Sequence, residues 1–420
     1  MKPSIEIMSP AGSWEALSAA LHAGADSVYF GVEQLNMRAK SSNNFTTEDL
    51  PRIAELCREH NAQSYITLNT IMYDHDLQLM KNIVDAAKSS GITAVIASDH
   101  AVLMYAMKQG VEVHISTQTN ITNIETVEFF SLYADVVVLS RELSLSQVAD
   151  IVREIERRDL RGPAGELIKV EIFAHGALCM AVSGKCYLSL HTHFSSANRG
   201  ACIQNCRRDY IVTDKATGYE LEIDNEYIMS AKDLCTIDFL DKIIAAGVRV
   251  LKIEGRGRSA EYVHTTTTCY KEAVRSIQDG TYSPEKVNRW MEELSTVFNR
   301  GFWDGYYLGR TMGEWSASEE SLATKRKIYL GKGLNYFAKQ KIAHFQIEAN
   351  QLNVGDEIII TGPTTGYVHA VVSELRVNEQ TVQQAIKGND VTLPLDEMIR
   401  PSDSLYKLVD HPKRENAAAE

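Results

Sequence analysis

Four cysteines gathered in one stretch carry the chemistry most legible in this chain: Cys179-x6-Cys186 followed by Cys202-x3-Cys206. Thiolates collected on a single excursion supply a tetrahedral sulfur set, which suits zinc or an iron–sulfur cluster. Structural zinc sites favour tight Cys-x2–4-Cys knuckles. Only Cys202-x3-Cys206 approaches that spacing, and Cys179-x6-Cys186 is wide for it, so spacing leaves both metals open. The competing reading is that these thiols are small buried hydrophobes. Their interleaving with Gly, Ser, Asn and Arg weighs against it. Cys57 and Cys269 fall inside amphipathic helix patterns and read as core residues. Cys235, in Ser230-Ala-Lys-Asp-Leu-Cys235, reads as a spare ligand or a core thiol.

Such groups need a scaffold. From residue 4 to about 280, short β-branched runs alternate with amphipathic segments of helical length, the pattern of βα units around a parallel sheet. Eight strands are expected, at 5–8, 27–30, 64–68, 94–97, 112–115, 136–139, 170–173 and 248–253. Helix start signals stand between them, such as Ser13-Trp14-Glu15 and Thr46-Thr47-Glu48-Asp49. Eight strands favour a closed barrel over an open doubly wound sheet. The expected fold is α/β, a (β/α)8 TIM-like barrel over 1–320 with a cysteine-rich metal-binding insertion at about 174–226. A small all-β C-terminal domain, a β-barrel, is expected over 325–412 from short strand-like runs and turn signals such as Thr361-Gly362-Pro363. Residues 413–420 read as a disordered tail.

Barrel chemistry sits where strands end, and the residues at those ends are polar: Asn69, Ser116 with Gln118, Arg141, His175, Lys232, and Glu254 with Arg256. His175, Glu254 and Lys232 are the candidate catalytic groups. Arg141, Arg256, Asn69 and Gln118 are the candidate substrate-binding set, with Arg141, Lys232 and Arg256 suited to carboxylates. Gly255-Arg-Gly-Arg-Ser-Ala260 imitates a dinucleotide turn but lies in the last βα unit rather than the first. No His-Glu-x-x-His, Gly-x-Ser-x-Gly or Walker A sequence occurs. The net charge of −12 argues against a protein that coats nucleic acid non-specifically. It permits RNA contact through a local basic patch, for which Arg207, Arg208, Lys325, Arg326 and Lys327 are the candidates. The N-terminus carries no stretch of signal-peptide character and no apolar run has transmembrane length, so a cytoplasmic protein with no membrane partner is expected.

Longer motifs carry a resemblance. Glu171-x-Phe-x-His-Gly-Ala-Leu-Cys179 through Ser183-Gly-x-Cys186, then Asn198-Arg-Gly-x-Cys202-x-x-x-Cys206-Arg, closely resembles the signature of the U32 peptidase family. Ser9-Pro-Ala-Gly, Ala23-Gly-Ala-Asp26, Ser140-Arg-Glu-Leu143, Ser230-x-Lys-Asp-Leu234 and Lys252-Ile-Glu-Gly-Arg256 extend the match from about residue 5 to about residue 310. The resemblance implies an oxygen-independent hydroxylase of the kind that acts on an RNA base or a ubiquinone precursor. It also implies a [4Fe–4S] cluster on Cys179, Cys186, Cys202 and Cys206. The pattern is most similar to the tRNA branch, which implies wobble 5-hydroxyuridine as product and prephenate, a small anionic donor, as hydroxyl source. It further raises a second chain of the same family as a partner. A collagenase-like peptidase and a non-catalytic RNA-binding subunit with a structural metal are the rival expectations.

Overall fold

The computed structural model describes residues 4–40, 43–221, 229–309, 313–316 and 321–411. Seven parallel strands follow in order, β1 (Glu6–Pro10), β2 (Ser27–Gly31), β3 (Gln63–Leu68), β4 (Ala94–Ala97), β5 (Glu112–Ile115), β6 (Val136–Val138) and β7 (Lys169–Ala177). An insertion contributes β8 (Val212–Thr213), β9 (Glu220–Leu221) and β10 (Asp233–Cys235) before the eighth barrel strand, β11 (Val250–Ile253). β11 closes the barrel, with Leu251 opposite Ile7 of β1 on one edge and Ile172 of β7 on the other. The strands read as nearly continuous apolar runs because both faces are covered. Met8, Tyr29, Tyr65, Ile96, Val136 and Val250 fill the interior as one cluster. The opposite strand faces pack beneath an outer ring that includes α1 (Trp14–His22), α2 (Leu50–Glu59), α3 (Leu77–Ser90), α4 (His100–Gln109), α5 (Ile124–Ser131) and α6 (Leu145–Arg158). Ser13 and Ser144 cap α1 and α6 with their side chains.

β7 runs four residues past the expected end at Phe173. Its register against β11 slips, so that Lys252 faces Phe173 and Ile253 faces His175. Beyond the slip, β7 pairs antiparallel with β10, which in turn pairs with β12 (Phe302–Trp303). The insertion therefore begins after Ala177 and returns onto the strand it left. α7 (Leu188–His193) lies within it, and α8 (Leu240–Ala245), α9 (Ala260–Gln278) and α10 (Pro284–Thr296) follow.

From Lys325 to Asp410 an eight-stranded antiparallel sheet surrounds its own core of Leu330, Phe345, Ile358, Ile360, Leu393 and Leu405. Among the described residues its end strands, Gly366–Val371 and Gln380–Val382, are not paired with each other, so the sheet stays open where a barrel was expected. It packs on α1 and α9: Ser18 donates to the Pro363 carbonyl at 2.6 Å, and the His264 and Tyr367 rings lie 4.8 Å apart. Gly366, at φ +69°, sits so close to α1 that a Cβ would lie 2.8 Å from the Ala19 nitrogen. Among the described residues no helix is long and apolar enough to cross a membrane. Residue 412 and the segment 413–420, read from sequence as a disordered tail, lie outside the described residues.

Candidate active site

One cavity of about 150 Å³ opens at the C-terminal ends of the barrel strands, and Cys179, Cys186, Cys202 and Cys206 all stand on its wall. Three fastenings bring the insertion there. Arg207 reaches back to the base of the loop, donating to the Ser230 hydroxyl at 3.0 Å, to the Leu178 carbonyl at 2.7 Å, and to the Ala231 carbonyl. The turn before Cys202 is tied to the loops after β2 and β3. There Ile71 donates to the Asn198 carbonyl at 3.2 Å, and Arg199 pairs with Asp76 and donates to the Ile71 carbonyl at 2.7 Å. Gly200 in that turn has φ +77°, and a Cβ on it would lie 2.1 Å from the Asn36 carbonyl oxygen, so no other residue fits. The turn before Cys186 is held to the β5 loop by Asn120, whose amide donates to the Ser183 carbonyl at 3.3 Å.

All seven cysteines are free thiols. Among the described residues no three His, Cys, Asp or Glu side chains converge as they would on a single ion. Four free thiols on the wall of one cavity are the type and number of donors that an iron–sulfur group would take. Burial pushes the Cys206 thiol up, Arg207 opposes this, and Cys179, Cys202 and Cys186 push it further, so the four form one electrostatic group. Cys57 and Cys269 are buried in the core of α2 and α9. Cys235 is also core, with its sulfur 3.7 Å from that of Met291 and its thiol pushed up to about 12 by burial.

Four cations, Arg38, Arg141, Lys252 and Arg256, share this wall with polar and apolar side chains and with Glu254. Arg141 lies 3.8 Å above the Phe173 ring and donates to the Ala177 carbonyl at 3.3 Å, while its Nε is buried without a partner. Arg256 is 5% exposed and donates to Asn36 at 3.0 Å and Thr67 at 2.8 Å. Burial lowers its guanidinium to about 10, which leaves it charged at neutral pH. Two further cations were not picked out from sequence. Arg38, after β2, forms a 2.7 Å ion pair with Glu254, and Lys252, inside β11, forms one of 2.7 Å with Glu171. Lys252 was legible as a lone charge in an apolar strand. Arg38 lies several residues beyond a strand end, in a loop whose path sequence does not give. Asn69 donates to Ser116 at 3.2 Å and to Gln118 at 3.4 Å, and Ser116 also bonds Gln118, so these amides form one linked row.

The remaining candidates are placed differently. Burial would raise Glu254, yet Arg38, Arg258 and Arg141 outweigh it and hold the carboxyl at about 2. It is thus a fixed anion orienting Arg38, and not a group poised to exchange a proton near neutrality. His175 is 1% exposed and packs against Tyr262, Tyr270 and Phe302 away from the cavity wall. Burial holds it neutral, at about 3. Lys232 pairs with Glu314 at 2.7 Å and also stands off the wall. Among the basic candidates Arg207 is spent on the protein's own backbone. Lys325 pairs with Glu357, Lys327 with Glu261, and Arg208 and Arg326 are exposed.

A closed parallel barrel roofed by a four-cysteine segment, with a cationic cavity between them, defines the class. The chain belongs to peptidase family U32, whose description matches residues 12–317. It is 58% identical over 402 residues to a Porphyromonas gingivalis protein named collagenase, covering 96% of this chain and 97% of that one. It is 29% identical over 411 residues to tRNA hydroxylation protein P1 of Bacillus subtilis, covering 96% and 94%. It is also 29% identical over 374 residues to the 23S rRNA 5-hydroxycytidine C2501 synthase of Escherichia coli, covering 81% of this chain and 54% of that protein. The family thus holds proteins named for RNA hydroxylation beside proteins named for collagen cleavage.

Proposed function

We propose that this chain hydroxylates an RNA base without oxygen, the substrate being the wobble uridine of a tRNA and the product 5-hydroxyuridine. A [4Fe–4S] cluster would be held by Cys179, Cys186, Cys202 and Cys206, with prephenate as hydroxyl donor. The observation that carries this reading is the sharing of one cavity by four free thiols and four cations. Replacing C–H by C–OH is a two-electron oxidation of the base. The donor would give up its hydroxyl and take a hydrogen in its place, and so be the two-electron acceptor, while the cluster, when bound, would supply one-electron transfer that side chains lack. Arg141 and Arg256 would hold the carboxylates of the donor. Arg38 is paired with Glu254 and Lys252 with Glu171, which leaves Arg141 and Arg256 as the two wall cations without a carboxylate partner of their own. The amides of Asn69 and Gln118 offer donors and acceptors to a base edge.

The name of the 58%-identical relative favours a second reading, peptide-bond cleavage. A cysteine peptidase needs its nucleophile beside a base. His175, the histidine nearest to Cys179 in sequence, is turned into an aromatic pocket away from the cavity that Cys179 lines. Nucleoside analysis of tRNA from a strain lacking the protein separates the readings. The hydroxylase reading expects loss of 5-hydroxyuridine and its derivatives, restored by the wild-type gene and not by the Cys179→Ser form. Unchanged tRNA, with gelatin cleavage by the purified protein that disappears in Cys179→Ser, would establish the peptidase instead.

A further inference from the structure

The insertion exposes apolar side chains that a surface loop ordinarily hides. Phe194 is 94% exposed and Tyr187 is 74%, with Val182 at 46% and Met180 at 42% beside them. Phe194 also carries an unfavourable backbone, φ +52° and ψ +32°, at the C-terminal end of α7. Glycine or asparagine is the usual occupant there, because a bulky side chain clashes with its own backbone in the left-handed region. Phe194 holds this conformation without burying its ring.

Tyr187 and Phe194 flank α7, seven residues apart, which sets them roughly 10 Å apart along the axis. That is about the height of three stacked bases. Met180, Ala181 and Cys186 line both the cysteine cavity and an outer groove walled by Lys185, Tyr187 and His191, so the groove beside Tyr187 adjoins the candidate active site. The charge agrees. Between Cys179 and Arg208 there is no Asp or Glu; Arg199 is paired with Asp76 and Arg207 with the backbone, and Lys185 and Arg208 stand exposed, in a chain of net charge −12.

From this we infer that the insertion is a stacking platform for unpaired RNA bases, with Tyr187 and Phe194 as its two aromatic plates and Lys185 and Arg208 meeting the phosphates. This deepens the hydroxylase reading above and rests on it in taking RNA as the substrate. Exposed rings in a basic, acid-free segment match a polyanion that presents aromatic faces, whereas a protein partner would be expected to bring carboxylates against a mixed rim.

Full-length, anaerobically prepared protein is titrated at one salt concentration with a short RNA hairpin bearing an unpaired loop and with a blunt RNA duplex of equal length. Tyr187→Ala and Phe194→Ala should each weaken hairpin binding roughly tenfold, leaving duplex binding and iron content unchanged. Tyr187→Phe, which keeps the ring, should bind as wild type. Phe194→Asn, which relieves the backbone, should raise the thermal midpoint while weakening the hairpin. Hairpin affinity unaltered in both alanine variants overturns the platform, and so does an equal loss for hairpin and duplex. Loss of association between two copies of the chain with hairpin binding intact also overturns it, in favour of a protein interface. The reaction is tested separately by tRNA nucleosides in the null strain. Unchanged nucleosides beside selective hairpin loss sink the wobble reading and leave the platform standing.

Discussion

Changing Cys179, Cys186, Cys202 or Cys206 to serine should in each case abolish iron and acid-labile sulfide in anaerobically purified protein. Cys57→Ser, Cys235→Ser and Cys269→Ser should retain both, since these three thiols sit in the core away from the cavity. Zinc without iron in the wild type would refute the cluster. The arginines divide by their partners. Arg141→Ala removes a guanidinium with a free buried Nε, so it should raise the donor concentration needed for half-maximal rate and leave tRNA affinity near wild type. Arg256→Ala should do this and also destabilise the fold by roughly 1 kcal/mol, because it removes one hydrogen bond each from buried Asn36 and Thr67, which keep the Arg38 amide and the Phe30 carbonyl as partners. Donor and tRNA titrations with urea midpoints check both. The four cysteines were legible because they crowd one segment. His175 was not correctly placeable, because the register slip in β7 reverses the alternation that aims a strand residue inward, and such a slip leaves no mark in composition.

At the level of elements, the insertion depends on Arg207 more than its place in a basic pair suggests. Arg207→Ala leaves the Leu178 and Ala231 carbonyls and the Ser230 hydroxyl without their donor, a local cost of ~1–3 kcal/mol. The expected outcome is faster proteolysis within 179–208 and lower iron content. Exposed Arg208→Ala should lower RNA affinity and spare the iron. Equal behaviour of the two variants would show that Arg207 does not anchor the loop. The eight barrel strands were readable from their β-branched runs and from the helix caps between them. β10 was not, because Asp233-Leu-Cys235 is too short and too polar to register as a strand until it is seen completing the edge of β7.

Across the whole molecule, two buried histidines predict how stability follows pH. Burial holds His175 at about 3, and burial with His22 nearby holds His264 at about 4, so both stay neutral in the folded chain while the unfolded chain protonates near 6.5. Their contribution is complete above pH 6.5 and lost as pH falls below it, about 2 kcal/mol from each by pH 5. Denaturation midpoints should drop between pH 7 and pH 5, and His264→Gln should flatten that slope if the variant keeps its midpoint at pH 7. The closing strand has a further consequence, for the order in which the protein is made. β11 is the last barrel strand to leave the ribosome, it pairs with both β1 and β7, and it brings Lys252, with Glu254 and Arg256 just after it. All four thiols are synthesised earlier, so a nascent chain presents them before the cavity has Lys252, Glu254 and Arg256 and before the barrel is closed. On the cluster reading proposed above, maturation with iron is expected to wait for the seam to shut. Stalled chains ending before Val250 should be alkylated at every one of these thiols whether or not iron is supplied, and chains extended past α9 should be protected by iron.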